Sequence, residues 1–270
     1  MDLKKSVKQH WEDETCGTRY GDEICTNRYK LEPYIHPFAD FASGKNKKVL
    51  EIGVGAGCDF SHWIDAGATA TGVDLTEAAI KETQKRLEHS RAANFKLLSA
   101  DAENLPFHDD EFDIIYSWGV LHHTPDTFRA FSEAFRVLKY GGVLKAMIYH
   151  VPSWTGFLLW IQHCLLKGKF WRGVKWAIFH HLESPGTKAY TVASAREMLI
   201  KIGFKNIHLK TKLCAGDLLT IKPSKKYQST IYKIIWKLYP RWLVKLLGRP
   251  AKRGAGDRFG LNLLITAQKP

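Results

Sequence analysis

Three sets of side chains in this chain have types and spacings that could do chemistry. The first is EIGVGAG, Glu51 to Gly57, where an acid precedes Gly53, Gly55 and Gly57 at alternate positions. Such a turn between a strand and a helix lets the backbone bend sharply and approach a ligand, and the free N–H groups of the following helix face that ligand. The second is a pair of acids closing later apolar runs: Asp74 in TGVDL, 21 residues beyond Gly53, and Asp101 in SAD. An acid at the first position accepts hydrogen bonds from both hydroxyls of a ribose, and one at the second suits an exocyclic adenine amine. The third is His122 and His123 in GVLHHTPD. An imidazole with its ordinary pKa of about 6.5 can take a proton from a hydroxyl nucleophile, for a gain of roughly 10²–10⁴-fold. The same pair can equally pack or hydrogen-bond a loop.

A nicotinamide dinucleotide enzyme also combines glycines with a ribose acid. Two features point elsewhere. An acid before the first glycine welcomes a positively charged ligand, and a dinucleotide turn has its third glycine one residue later. A sulfonium cofactor fits these residues best, and no Cys/His cluster at metal spacing accompanies them, so no metal is expected.

The elements that must position these groups follow from periodicity. From Lys48 to Tyr149, short apolar runs alternate with helical segments, the pattern of parallel βα units. KVLEIGV, TATGVDL, FKLLSAD, FDIIYS and VLKAMIYH read as strands, with helices at CDFSHWIDAG and at EAAIKETQKRLEHS, the latter capped by Thr76. Phe128, Phe131, Phe135 and Leu138 recur at helical spacing, so DTFRAFSEAFRVL reads as an amphipathic helix stopped by Gly141 and Gly142. Beyond His150 the alternation breaks. A short helix opened by a Ser194/Glu197 capping box and ended by Gly203 leads to a sixth strand, NIHLKTKL, and LNLLITAQ closes the chain as a seventh.

These residues resemble the class I S-adenosylmethionine-dependent methyltransferases, of the small-molecule type. The resemblance covers about residues 45–150 through VLEIGVGAG, TGVDL, SADAENLPF, FDIIYSWGVLHH and FRVLKYGG, with Tyr140 where the family more often has proline. It implies an α/β, Rossmann-like doubly wound sheet of seven strands, the last antiparallel and slotted between the fifth and sixth. It also implies that Gly53, Gly55 and Gly57 pass beside S-adenosylmethionine, that Glu51 supports the turn, that Asp74 and Leu75 meet the ribose, Asp101 and Ala102 the adenine, and that Ser117 lies near the methionine part. The expected organisation is a helical lid at 1–44, a cofactor-binding core at 45–150, an aromatic and basic insertion at 151–190, a return to the sheet at 191–219, a basic amphipathic insertion at 220–258 and a terminal core strand at 259–270. In the family, insertions at these two places build acceptor specificity. His122 and His123 lie at the acceptor edge, and Trp118 is either an aromatic wall there or core packing.

Charge is segregated along the chain. Residues 1–150 hold 18 Lys and Arg against 23 Asp and Glu, so 22 of the 40 cations but 4 of the 27 acids lie after residue 150. Such a field attracts an anionic partner. Six of the nine Trp also follow residue 150, interleaved with the cations, a combination suited to the headgroup boundary of a membrane. GFLLWIQHCLLKGKFWRGVKWAIFHH, 156–181, is too charged to span a bilayer. It is expected to lie on an anionic membrane surface or over an apolar acceptor. In 231–249, Lys233, Lys237, Arg241, Lys245 and Arg249 recur every four residues opposite an apolar face that Pro240 should kink. The first residues show no secretory signal and the five cysteines no pairing pattern. The expectation is a cytoplasmic protein with reduced thiols, peripheral at the inner face of the membrane. The function expected is methyl transfer to oxygen or carbon of a small, apolar or lipid-linked acceptor. Methylation of RNA is the rival within enzymes, weakened because no Asn-Pro-Pro-Tyr or Asp-Pro-Pro-Tyr follows the fourth strand. A catalytically silent cofactor-binding subunit is the rival outside them.

Overall fold

The computed structural model describes residues 2–13, 23–88, 95–217 and 257–270. Its centre is a seven-stranded sheet, β1 (Lys48–Ile52), β2 (Thr69–Asp74), β3 (Phe95–Ser99), β4 (Phe112–Trp118), β5 (Leu138–Tyr149), β6 (Lys205–Lys212) and β7 (Asn262–Gln268). The spatial order is β3-β2-β1-β4-β5-β7-β6. The first five strands pair in parallel, and β7 is antiparallel to both neighbours. β1 and β4 are central and almost wholly buried, which is why they read as continuous apolar runs. β6 is an edge strand, and exposed Lys205 and Lys210 keep that edge wet.

Helices α4 (Cys58–Asp65) and α5 (Glu77–Leu87) follow β1 and β2, whereas α6 (Thr127–Val137) and α9 (Val192–Ile202) pack together in the chain's second core. One apolar cluster surrounds Trp63, Phe60 and Tyr116; the other holds Phe131, Ile115, Leu144 and Leu199. Thr76 caps α5 as expected, its hydroxyl accepting from Ala79 N–H.

Three local expectations are corrected. The cap of α9 is Thr191, in a reciprocal box with Ser194, while Glu197 pairs with Lys201 at 2.9 Å on the exposed face. α6 ends at Val137, and Leu138 already belongs to β5, whose register shift against β4 absorbs the glycine pair. Phe128 is exposed, since the helix buries the stripe through Thr127, Ala130, Phe131 and Ala134. Nor are all thiols reduced: Cys25 and Cys58 form a disulfide, and Cys164 and Cys214 are free and buried. The pairing is invisible to local spacing because it joins residues 33 apart, through packing of an N-terminal helix on the start of α4.

Before the sheet come α1 (Leu3–Asp13), α2 (Ile24–Leu31) and α3 (Ile35–Ala39). After β5, α7 (Trp154–His163) and α8 (Val174–His181) form a helical hairpin. Their axes approach closely at Gly156, where a Cβ would stand 2.9 Å from Ile178 and Val174 side-chain atoms. Buried Asp217 fastens this hairpin to the sheet: its Oδ1 accepts from Thr155 N–H and Oγ–H, and its Oδ2 from Cys214 N–H and Leu261 N–H. The basic insertion at 220–258, with the helix expected at 231–249, falls almost wholly on residues outside those described. Among the described residues no helix is long and apolar enough to cross a membrane.

Candidate active site

The turns following β1, β2, β3 and β4 surround one cleft of about 1110 Å³ measured out to its open mouth. A cleft at the carboxyl ends of the strands is where doubly wound sheets bind ligands. At its base lies the glycine turn. Gly53 has φ 83°, and an added Cβ would fall 2.1 Å from Val120 Cγ2, so the loop after β4 closes onto a position that only glycine can occupy. Gly55 also has positive φ, and its N–H donates to Asp74 Oδ2 at 3.1 Å. Asp74 Oδ1 accepts from Thr76 N–H and Oγ–H at 3.0 and 2.8 Å. One carboxylate therefore ties the glycine turn to the start of α5 while facing the cleft. Burial pushes its carboxyl up, against these hydrogen bonds, which pull it down.

At one side of the turn stand Glu51 and Arg28. Glu51 is buried, and its Oε2 has no hydrogen-bond partner. Burial raises its carboxyl well above the usual range, nearby Asp59 and Asp74 add to the rise, and Arg28 opposes it. Arg28, on α2, donates from Nη2 to Asp59 Oδ2 at 2.5 Å and lies 5.5 Å from the Trp118 ring centroid, while its Nε is buried without a partner. Tyr29 and Tyr116 hydroxyls complete the hold on Asp59 at 2.8 and 2.7 Å. The Cys25–Cys58 bond fixes the start of α2 beside this cluster.

At the opposite side, Asp101 and Ala102 line the cleft beneath α1. Lys4 Nζ reaches Asp101 Oδ2 at 2.7 Å and Glu103 Oε2 at 2.5 Å, and Glu103 N–H donates to Asp101 Oδ1. Further along α1, Trp11 lines the cleft and meets the His123 ring edge-on at 5.3 Å.

Of the residues expected from sequence, Glu51, Gly53, Gly55, Asp74, Leu75, Asp101, Ala102 and His123 converge on the cleft. Three expected residues stand back from it. Gly57 caps α4 against α5, its own Cβ position 2.9 Å from Thr83. Ser117 is fully buried and donates to Ile52 O at 2.9 Å, so the β4 end reaches the cleft through Trp118, Gly119 and Val120 instead. His122 is 0 % exposed, packed on the Tyr149 ring at 4.1 Å, with both ring nitrogens unpartnered and its basicity driven well below normal, chiefly by burial. His122 and His123 share the short 3-10 turn at Leu121–His123 with ring centroids 4.2 Å apart, and only His123 reaches the cleft lining.

His123 is held from outside the core motif. Its Nδ1 is 2.8 Å from Ser184 Oγ and 3.1 Å from Thr187 Oγ1, and its Nε2, which makes no hydrogen bond, is 3.4 Å from Glu183 Oε2. Tyr149 O–H donates to the same Glu183 oxygen at 2.7 Å. Lys4, Arg28, Glu183 and Ser184 were not predicted. They sit in no local motif, and the only signal of Ser184 was the SPGT turn. Among the described residues no group of three His, Cys, Asp or Glu side chains could hold a metal ion.

Residues 50–146 match the model of a methyltransferase domain family. Among curated proteins, the chain is 34% identical over 97 residues to the ubiquinone biosynthesis O-methyltransferase of Thiobacillus denitrificans, covering 36% of this chain and 41% of that one. It is 38% identical over 118 residues to a phthiotriol/phenolphthiotriol dimycocerosates methyltransferase of Mycobacterium tuberculosis, covering 43% and 42%. The matches thus span less than half the length of these relatives. A solved phosphoethanolamine N-methyltransferase 2 of Haemonchus contortus, in complex with phosphomonomethylethanolamine and S-adenosylhomocysteine, superposes with a TM-score of 0.64 at 19% identity, over 98% of this chain and 61% of that one. That likeness is one of fold.

Proposed function

We propose that this chain, which carries a class I S-adenosylmethionine-dependent methyltransferase domain, transfers the methyl group to an oxygen or carbon of a small, apolar or lipid-linked acceptor. One observation carries the reading. Glu51 Oε2 and Arg28 Nε are buried, unpartnered and on the same cleft, a matched anion and cation for the ammonium and carboxylate of an amino-acid end. An ammonium docked there would hold Glu51 ionised against the burial that favours its proton. Asp74 with Leu75 takes the ribose hydroxyls and Asp101 with Ala102 the adenine edge, so Lys4 must share or yield Asp101. Gly53 and Gly55 let the backbone run beside the ligand. Gly57 acts at one remove by seating α4.

When bound, the cofactor supplies a methyl group on a sulfonium, an excellent leaving group. The chain's task is therefore placement in line and exclusion of water, worth roughly 7–11 kcal/mol when the geometry is right. Trp118, Trp11 and Val120 wall the acceptor side, and α1 and α2 serve as the lid expected of residues 1–44. For a hydroxyl acceptor His123 is the base. The Ser184 and Thr187 hydroxyls hold the ring at Nδ1, and Glu183, 3.4 Å from Nε2, balances the imidazolium once the ring has taken the proton. His122 stays a buried packing residue in this scheme. The insertion at 151–190 supports acceptor choice because its apolar cluster continues from α7 and α8 through Tyr149 to Trp118 at the cleft. Similarity to a ubiquinone biosynthesis O-methyltransferase and to a phthiotriol/phenolphthiotriol dimycocerosates methyltransferase supports an apolar acceptor, and the cations after residue 150 fit peripheral attachment to an anionic membrane surface.

Titration calorimetry with S-adenosylhomocysteine tests the cofactor half, and absence of binding ends the reading. Incubation with methyl-labelled cofactor and separated lipid, RNA and small-metabolite extracts tests the acceptor half. Label in the lipid or apolar fraction is the result expected. Label in RNA, or cofactor binding with no label in any fraction, overturns it in favour of an RNA enzyme or a silent subunit.

A further inference from the structure

The tip of the α7–α8 hairpin exposes what a core would hide. Residues 165–171 join the two helices, and there Leu165, Leu166, Phe170 and Trp171 face solvent, the last two 66% and 69% exposed. Phe170 and Trp171 pack edge-to-face on each other at 5.5 Å. The turn is preorganised from inside: Cys164 is fully buried, Trp160 Nε1–H donates to Arg172 O at 2.6 Å, and the Arg172 guanidinium lies 4.1 Å from the Trp176 ring centroid. A contiguous set of large apolar side chains held outward marks a contact surface. Exposed Lys167, Lys169 and Lys175 surround it, and 151–182 contains no Asp or Glu.

We infer that this tip inserts shallowly into the interface of a bilayer containing anionic phospholipid. The inference deepens the reading of an apolar, membrane-associated acceptor and rests on it for its purpose. Leucines, a phenylalanine and a tryptophan suit the boundary of headgroups and acyl chains, and lysines without acids complement a negative surface. The hairpin is also connected to the chemistry. Leu159, Val174, Ile178 and Leu182 belong to the apolar cluster that includes Trp118, so the hairpin packs through to a residue on the wall of the cleft.

The full chain is floated with vesicles of phosphatidylcholine alone and of phosphatidylcholine mixed with phosphatidylglycerol, and S-adenosylhomocysteine binding is measured on every variant. Wild type should bind the mixed vesicles, less so in high salt. Phe170→Ser with Trp171→Ser should lower partitioning by about tenfold or more on both vesicle types. Lys167→Glu with Lys169→Glu should lower it by about tenfold on the mixed vesicles only. All variants should bind S-adenosylhomocysteine as wild type does, which shows that they are folded. Wild type that binds S-adenosylhomocysteine but does not float, or tip variants that float normally, overturn the inference and leave the methyltransferase reading intact. Variants that float normally but lose retention of single-stranded RNA overturn it in favour of an RNA surface. Failure of wild type to bind S-adenosylhomocysteine sinks the functional reading whatever the vesicles show.

Discussion

The two ends of the cleft are built in different ways. At the cofactor end, Glu51, Gly53, Gly55, Asp74 and Asp101 stand at or just past the ends of three successive parallel strands, β1, β2 and β3. Each is within a few residues of a strand end, so the sheet alone fixes its place. At the acceptor end, Trp11, Trp118, His123, Glu183 and Ser184 come from α1, the end of β4 and the segment after α8. Nothing local fixes those; packing of the insertion and the lid does. The first end should therefore fail at single positions and the second through its supports.

The largest expected effect tests the first half of that statement. Gly53→Val puts a branched side chain at φ 83°, where even Cβ would overlap Val120. Either the glycine turn or the loop after β4 must shift. Affinity for S-adenosylhomocysteine should fall below detection, more than about 100-fold, while circular dichroism shows a folded sheet. Wild-type affinity would mean that the turn does not approach the ligand.

Next comes the acceptor end. His123→Ala should cost roughly 10²–10⁴-fold in turnover with a hydroxyl acceptor and leave S-adenosylhomocysteine affinity unchanged. Ser184→Ala should lose a smaller part of the same rate, through the hold on the imidazole ring. His122→Ala should instead lower thermal stability, since it removes a ring packed on Tyr149 from a fully buried position. Equal rate losses at His122 and His123 would refute the assignment of one proton-handling imidazole.

Legibility in the sequence divides along the same line. The antiparallel last strand between the fifth and sixth followed from the family resemblance alone, while the strands themselves were legible from periodicity, most plainly β1 and β4, where burial leaves continuous apolar runs. Asp74 was legible for the same reason, being one turn from the end of such a run. Ser117 and His122 stand behind the cleft wall next to Trp118 and His123, which line it, and composition does not say which of two neighbours reaches the ligand side. Arg28, Lys4 and Glu183 were missed outright. Each acts on a residue tens of positions away: Arg28 on Asp59, Lys4 on Asp101 and Glu183 on His123. The Cys25–Cys58 pair belongs to the same class.

Asp74→Asn has a smaller expected effect. The amide keeps the size and can still accept from Thr76 or Gly55, but it loses the charge offered to two ribose hydroxyls. Hydrogen bonds to a charged group contribute about 1.5–3 kcal/mol, so affinity for S-adenosylhomocysteine should fall roughly 10- to 100-fold, measured by calorimetry, with turnover at saturating cofactor changed much less. A loss confined to turnover would place the carboxylate in the chemistry rather than in binding.

The smallest effect separates the two ends by sign. At the base of the hairpin His163 stacks on His181 with centroids 3.8 Å apart, and burial, with His181 and Lys167 nearby, lowers its pKa to about 4; His181 is lowered too, by burial and by His180, Lys167 and Lys169. A base whose folded pKa lies below its unfolded value binds its proton later in the folded state. Above about pH 7 both states are neutral at His163 and nothing is contributed; as pH falls from about 6.5 toward 4 the unfolded chain gains the proton first and hairpin stability is lost. Glu51 runs the other way. Its folded pKa is raised, so as pH falls the folded protein takes the proton before the unfolded chain does, and the ligand-free cofactor end gains stability where acid takes it from the hairpin's histidines, the opposite sign. Solvent around the partly exposed histidine pair keeps its share small, a melting shift of about 2–4 °C. Hydrogen exchange resolves the two: protection across 154–181 should fall between pH 7 and pH 5 after correction for intrinsic rates, that across 51–59 should not, and His163→Gln should shrink the first change alone, leaving the share of His181. Loss of protection at both ends together, or none at the hairpin, would show that the ends do not answer acid independently.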